Sequence, residues 1–397
     1  SPADYAARVA HKRYGLASSG TSKNYAWETA DPRFDATPYP DQAHDGHVNE
    51  PNRFGWVVEI DPFDPKSTPR KHTALGRFKH EGAKVTIAPD GRLAVYMGDN
   101  QRFEYIYKFV SKNRYQPGNR AANMRLLEEG TLYAARFNEN GSGDWLALVH
   151  GQNGLTAANG FADQGEVLVK TRMAADLVGA TKMDRPEWIT ADPFTAGSIY
   201  CTLTNNSQRG EAGKPAADAA NPRANNLFGH IIHWQEADGD GTKLSFKWDI
   251  LVLAGNKQAT KSEHKGNING DDFGSPDGLA FDSRGVLWIQ TDVSTSTLNM
   301  KEYAGMGNNQ MVATVLGSNE YRRFLTAPNG SEVTGIAFTP DNKTMFINIQ
   351  HPGEPSKGDS DPARPTAVSS WPDGAAAGRP RAATVVITKN DGGVIGS

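Results

Sequence analysis

The feature that most constrains this chain is a short pattern that returns along it. Glu81-Gly-Ala-Lys-Val-Thr-Ile-Ala-Pro-Asp-Gly-Arg-Leu-Ala-Val-Tyr-Met is matched in outline by Glu332-Val-Thr-Gly-Ile-Ala-Phe-Thr-Pro-Asp-Asn-Lys-Thr-Met-Phe-Ile-Asn. Each copy reads as an acid, a strand, a tight turn and a second strand. Looser copies start at Glu187 and Asp277, with the acid nearer the turn. A hairpin unit repeated at separations of roughly 55 to 105 residues predicts radially arranged blades carrying insertions.

The rest of the sequence agrees with an all-β reading. Apart from Asp4–Tyr14, apolar residues rarely recur at helical spacing, whereas short β-branched and aromatic runs lie between turn formers throughout. With 41 Gly and 23 Pro in 397 residues, many short elements joined by turns are expected. The strands so read include Glu187–Thr190, Gly278–Phe281, Gln310–Val315 and Gly335–Phe338. Two polar stretches, 208–226 and 353–381, lack the apolar residues of a core and read as surface insertions. Because the blade pattern resumes beyond each, the whole chain, 1–397, is read as one domain.

Several function classes lose support. A net charge of −3 with scattered Lys and Arg gives no basic field for nucleic acid. No apolar run is long enough to span a membrane, and Ser1–Tyr14 reads as a polar helix rather than a cleavable signal, so a soluble chain beginning after any targeting segment is expected. Cys201, the only cysteine, excludes an internal disulfide and a Cys-pair zinc site and reads as a small core residue. Serine-hydrolase and nucleotide-loop motifs are absent. The Asp238-Gly-Asp-Gly-Thr segment lacks the glycine and helices of a calcium loop and reads as a hairpin turn, and His44-Asp-Gly-His47 reads as a surface loop.

The chemistry is expected at the repeated acids. Residues that begin equivalent inner strands of a propeller converge on its axis, so Glu81, Glu187, Asp277 and Glu332 would meet. Such carboxylates cannot all stay ionised uncompensated, and bound cations are the simplest remedy. Oxygen ligands point to Ca²⁺ or Mg²⁺, or to ferric iron if other ligands join. Turn capping, or pairing with Arg and Lys on a rim, is the alternative. Arg185 stands two residues before Glu187 and reads either as a clamp for a metal-bound oxyanion or as an ion pair orienting Glu187. The lysine-bearing segment Lys257–Asp277 could bring a further cation to the same mouth, and Asn205 and Asn206 end the strand that follows Glu187.

These residues lie within longer motifs. Asn49-Glu-Pro-Asn-Arg-Phe-Gly-Trp-Val-Val-Glu-Ile-Asp-Pro-Phe-Asp-Pro65 and Thr73-Ala-Leu-Gly-Arg-Phe-Lys-His-Glu-Gly-Ala83 resemble the signature of PhoX alkaline phosphatases, as do Arg185-Pro-Glu-Trp188, Gly274–Asp282, Glu332–Asp341 and Gln350-His-Pro-Gly-Glu354. The resemblance implies a six-bladed β-propeller, secreted to the periplasm or beyond, that hydrolyses small-molecule phosphate monoesters. It implies a mixed iron and calcium cofactor, Fe³⁺ and Ca²⁺ with a bridging oxo group, and a monomer with neither nucleic-acid partner nor membrane span. It places Glu81, Glu187, Asp277 and Glu332 on metal ligands and Arg185 and Lys261 on catalytic phosphate contacts, while Asn205, from its position after Glu187, is read as a further substrate contact. The family's upstream Cys-Glu-Glu motif is absent, which leaves the expected propeller incomplete and the activity of this chain alone open. The rival readings are a calcium-dependent propeller lactonase and a non-enzymatic, calcium-stabilised binding propeller.

Overall fold

The computed structural model describes residues 9–16, 26–36, 47–318, 320–358, 360–374 and 378–397. The chain is mostly β with few helices and divides into two compact units. The first holds residues 1–99, 105–136 and 144–181, and the second holds 100–104, 137–143 and 182–397. Of the helix expected over Asp4–Tyr14, residues 9–13 are helical and 4–8 lie outside the described residues.

In the first unit, β1 (Val57–Glu59) pairs antiparallel with β2 (Arg70–His72). Strands β3 (His80–Ile87), β4 (Arg92–Asp99), β5 (Ile106–Arg114) and β6 (Gly130–Phe137) follow as an antiparallel meander, with β7 (Ser142–Ala147) after it. β4 and most of β5 are buried on both faces, which is why β4 carries the continuous apolar run 93–97 and β5 is apolar around the buried Lys108. Val95, Met97, Tyr107 and Phe109 pack with Val167, Ala174 and Ala175.

Those last three residues belong to two helices, Gln164–Val169 and Thr171–Val178, which the sequence reading did not anticipate. Their inward residues include Thr171 and Arg172, so no plain apolar stripe marks them. Arg172 is buried because Asp99 takes its guanidinium at 2.5 and 2.7 Å. Asp163 caps the first helix by accepting from the Glu166 N–H at 2.9 Å.

The second unit is three antiparallel meanders in chain order. The first is β8 (Pro186–Ala191), β9 (Ser198–Leu203), β10 (His230–Glu236) and β11 (Ser245–Leu253). The second is β12 (Pro276–Phe281), β13 (Val286–Thr291), β14 (Gln310–Val315) and β15 (Arg322–Thr326). The third is β16 (Glu332–Phe338), β17 (Thr344–Gln350) and β18 (Ala383–Thr388). The opening strands stand side by side, β12 between β8 and β16. Apolar side chains fill the spaces between sheets: Tyr200, Ile231 and Val252 meet Leu279, Ile289 and Val312, while Trp288 and Met311 meet Val333, Met345 and Ile347.

The stretch 208–226 has no strand or helix, as its composition predicts, yet much of it points inward. Arg209, Asn221, Arg223 and Asn226 are buried. Asp184 organises them, accepting from Arg209 Nε at 2.6 Å and from Asn206 and Asn226 Nδ2 at 2.9 Å each. It is a polar core, held by charge-assisted hydrogen bonds rather than apolar area.

His230 lies against this network, with Nε2 2.9 Å from the Ala220 carbonyl. Burial, and then Arg223, push its pKa down to about 3. A depressed folded value means that stability is complete above the unfolded value near 6.5 and is lost as pH falls toward 3. The expected loss from this group at pH 5 is about 2 kcal/mol. Urea unfolding at pH 7.5 and 5 should show a pH dependence that shrinks in His230→Gln; an unchanged dependence contradicts it.

Candidate metal centre

All four repeated acids occupy equivalent places in their hairpins. Glu81, Glu187 and Asp277 are the second residues of β3, β8 and β12, and Glu332 is the first of β16. In each hairpin the register slips at the acid or within a few residues after it, between Glu81 and Lys84, Pro186 and Ile189, Pro276 and Leu279, and Thr334 and Ile336. Such irregularities twist a strand and re-aim its side chains.

A second device precedes three of these acids. Two positions upstream the backbone is left-handed, at Arg185 (φ 58°), Ser275 (φ 51°) and Gly330 (φ 62°). Only one of the three is glycine. Holding Arg185 and Ser275 in that conformation costs on the order of 1–3 kcal/mol each, so the surroundings must enforce it. Arg185 follows Asp184 with its buried network, and Ser275 Oγ is fixed by Tyr303 Oη at 2.8 Å and Asn205 Nδ2 at 3.3 Å.

Within the second unit the carboxylates gather. Glu187 and Asp277 each offer an oxygen within 4.8 Å of the other, and Asp277, Asp292 and Glu332 offer oxygens all within 4.8 Å of one another. Asp277 thus joins both groups. Thr202 Oγ1 ties the two strands behind them, donating to the carbonyl of Asp277 at 2.6 Å and lying 3.2 Å from that of Trp188. Glu187, Asp277 and Glu332 are buried. Burial pushes the Asp292 carboxyl up to about 6, and Glu332 adds to the rise while Arg185 and His351 oppose it. The donor set is all oxygen and crowded with like charge, and it suits a hard cation.

Polar neighbours surround the cluster. Arg185 Nη2 donates to Glu187 Oε1 at 3.0 Å, the ion pair foreseen as one of its two readings. Gln350 Nε2 donates to Glu332 Oε2 at 2.6 Å. His351 Nε2 stands 3.6 Å from the same oxygen, and the nearby Glu332 carboxylate, aided by Glu354 and opposed by burial, raises its pKa to about 9.

Two members of this arrangement escaped the sequence reading. Asp292 directly follows β13, whose end pairs with the start of β12, and His351 directly follows β17, whose end pairs with Glu332. The signal was the far end of each hairpin, which faces the acid that opens it. Of the other residues singled out, Glu81 belongs to the first unit and is half-buried. Asn205 is partly buried, and Lys261 lies exposed at the cap of the short turn Ser262–His264. Cys201 is fully buried in β9, as read. Asp238 sits in the turn between β10 and β11, where Asp240 Oδ1 accepts from Thr242 N–H at 2.9 Å. His44 lies outside the described residues.

The family profile described as "Alkaline phosphatase PhoX" matches residues 3–353. The chain belongs to the PhoX alkaline phosphatase family. Among solved structures it is similar to Pseudomonas fluorescens PhoX in complex with vanadate, a transition state analogue, with 46% identity and a TM-score of 0.87. That match covers 98% of this chain but 64% of the PhoX chain. A glucose dehydrogenase structure aligns at 10% identity over 75% of this chain and 92% of its own, with a TM-score of 0.23, too low to support an argument. Comparison with curated proteins found no match.

Proposed function

We propose that the intact protein is a metal-dependent phosphatase that hydrolyses small-molecule phosphate monoesters at the carboxylate cluster. The observation that carries this reading is the joining of two carboxylate groups through Asp277, with the Arg185 guanidinium against one of them. The vanadate complex of the similar P. fluorescens protein supports it. In this reading Glu187, Asp277 and Glu332, with Glu81 of the first unit, hold Ca²⁺ and Fe³⁺. Cations bound there supply Lewis-acid neutralisation of the phosphoryl oxygens.

The chain's own groups do the rest. Arg185 presents a planar, always charged fork to the phosphoryl oxygens, with Glu187 and the Asn100 side chain, 3.3 Å from Nε, fixing its orientation. Asn205 donates at the edge of the site, and Lys261 brings a second positive charge to the substrate. The fold belongs to a six-bladed β-propeller that this chain leaves incomplete, and the protein works as a monomer in the periplasm or outside the cell. Among the described residues no helix is long and apolar enough to cross a membrane.

The test is hydrolysis of p-nitrophenyl phosphate by the intact, metal-loaded protein. Arg185→Gln should lower kcat/KM by roughly 10²-fold or more, the usual cost of losing one oxyanion donor. Activity within threefold of wild type contradicts the role of Arg185.

A further inference from the structure

Arg185 lines a second feature, away from the carboxylates. An open cavity of about 410 Å³ is bounded by Asn100, Arg102, Phe103, Arg185, Gln208 and Lys214, all in the second unit. Three of these side chains are cationic, and one of them, Arg185, also touches Glu187. One guanidinium therefore faces both the carboxylate cluster and a basic cavity.

The cavity wall is built rather than loose. Arg102 forms an antiparallel bridge with Asp184, the residue before Arg185. The Phe103 N–H donates to the Met183 carbonyl at 2.8 Å, and the Met183 N–H donates to the Glu104 carbonyl at 2.9 Å. Phe103 is held at φ 69°, with the Arg209 guanidinium 5.3 Å and the Lys214 ammonium 5.8 Å from its ring centre. Arg209 is itself locked to Asp184. The ring thus carries Lys214 at the cavity edge by cation–π attraction. Arg102 is half-buried, and burial and then the Arg185 charge lower its pKa, with Glu211 opposing. Two guanidiniums close enough to feel each other's charge, with Lys214 beside them, make the cavity electropositive.

We propose that this cavity is a subsite for a second phosphate group on the substrate, held by Arg102 and Lys214 while the ester to be cleaved sits at Arg185. The inference rests on the phosphatase reading above and refines its substrate class from phosphate monoesters in general to esters bearing two phosphates. Arg supplies a bidentate contact and Lys a point charge, the common pairing for phosphate recognition. Because the wall is fixed by backbone pairing, little ordering opposes binding.

The experiment compares kcat/KM for a sugar bisphosphate and the corresponding sugar monophosphate, using the intact, metal-loaded protein and its Arg102→Gln, Lys214→Gln and Lys243→Gln variants. The ratio of the two values should fall at least fivefold in Arg102→Gln and in Lys214→Gln. Lys243→Gln, which removes an exposed lysine in the β10–β11 turn outside the cavity, should leave the ratio at the wild-type value and so exclude a general charge effect. Lys214 is exposed, so its variant is not confounded by misfolding. Hydrolysis of both esters with an unchanged ratio in both cavity variants, or an equal fall in Lys243→Gln, overturns the subsite alone. Hydrolysis of neither ester by the wild type removes the phosphatase reading and the subsite with it.

Discussion

Replacing Asp277 with Asn is expected to lower the phosphatase kcat/KM of the intact protein by on the order of 10³-fold, the equivalent of several kcal/mol of transition-state stabilisation. The size follows from position. Asp277 shares one ligand-oxygen group with Glu187 and another with Asp292 and Glu332, so its neutralisation weakens both. The accompanying stability change should run the other way. Without cations the buried carboxylates repel one another, and Glu332 adds to the rise that burial gives the Asp292 pKa. Removing one negative charge relieves that repulsion, and the chelated Asp277→Asn protein should unfold no earlier than chelated wild type. Thermal melting in excess chelator checks this point. A variant that loses activity because it is broadly destabilised contradicts the assignment of Asp277 as a ligand.

Asp184→Ala is expected to destabilise the protein by about 3–5 kcal/mol, the range for removing one partner of a buried ion pair. Its carboxylate and the Arg209 guanidinium are both fully buried. Without it Arg209 keeps the Lys182 and Ala216 carbonyls and a longer contact to Asp218 at 3.3 Å, but its nearest counter-charge is gone. Asn206 and Asn226 lose an acceptor as well. The damage lies at the entry to β8, where Arg185 takes its left-handed conformation, so the remaining folded protein should also show weakened phosphate binding. Urea denaturation measures the first effect. A loss below about 1 kcal/mol, the range of an exposed pair, would mean that the network is decorative.

The repeated hairpins and the acids that open them were legible because both are local. A strand, a turn and a strand leave a period of two and a Pro-Asp or Gly signal, and the position of an acid within that frame survives insertion elsewhere. The expected limits of β14 coincide with the strand Gln310–Val315. What stayed hidden depends on pairings between distant positions. Asp292 looks like any residue that ends a strand until β13 is laid against β12. The helices Gln164–Val169 and Thr171–Val178 hide because Arg172 faces inward, and its partner Asp99 lies 73 positions away. The stretch 208–226 reads as surface by hydropathy, since nothing local tells that Asp184 will neutralise Arg209. The fold follows periodicity, whereas the site and the polar core follow long-range charge compensation.

The most direct test is elemental analysis of the intact protein, wild type and Asp277→Asn, after dialysis against metal-free buffer. Wild type should retain iron and calcium in fixed proportion to protein, and the variant should retain less of each. Equal metal content in the two proteins, or none in a wild type that still hydrolyses phosphate esters, would contradict the assignment of the carboxylate cluster as the metal centre.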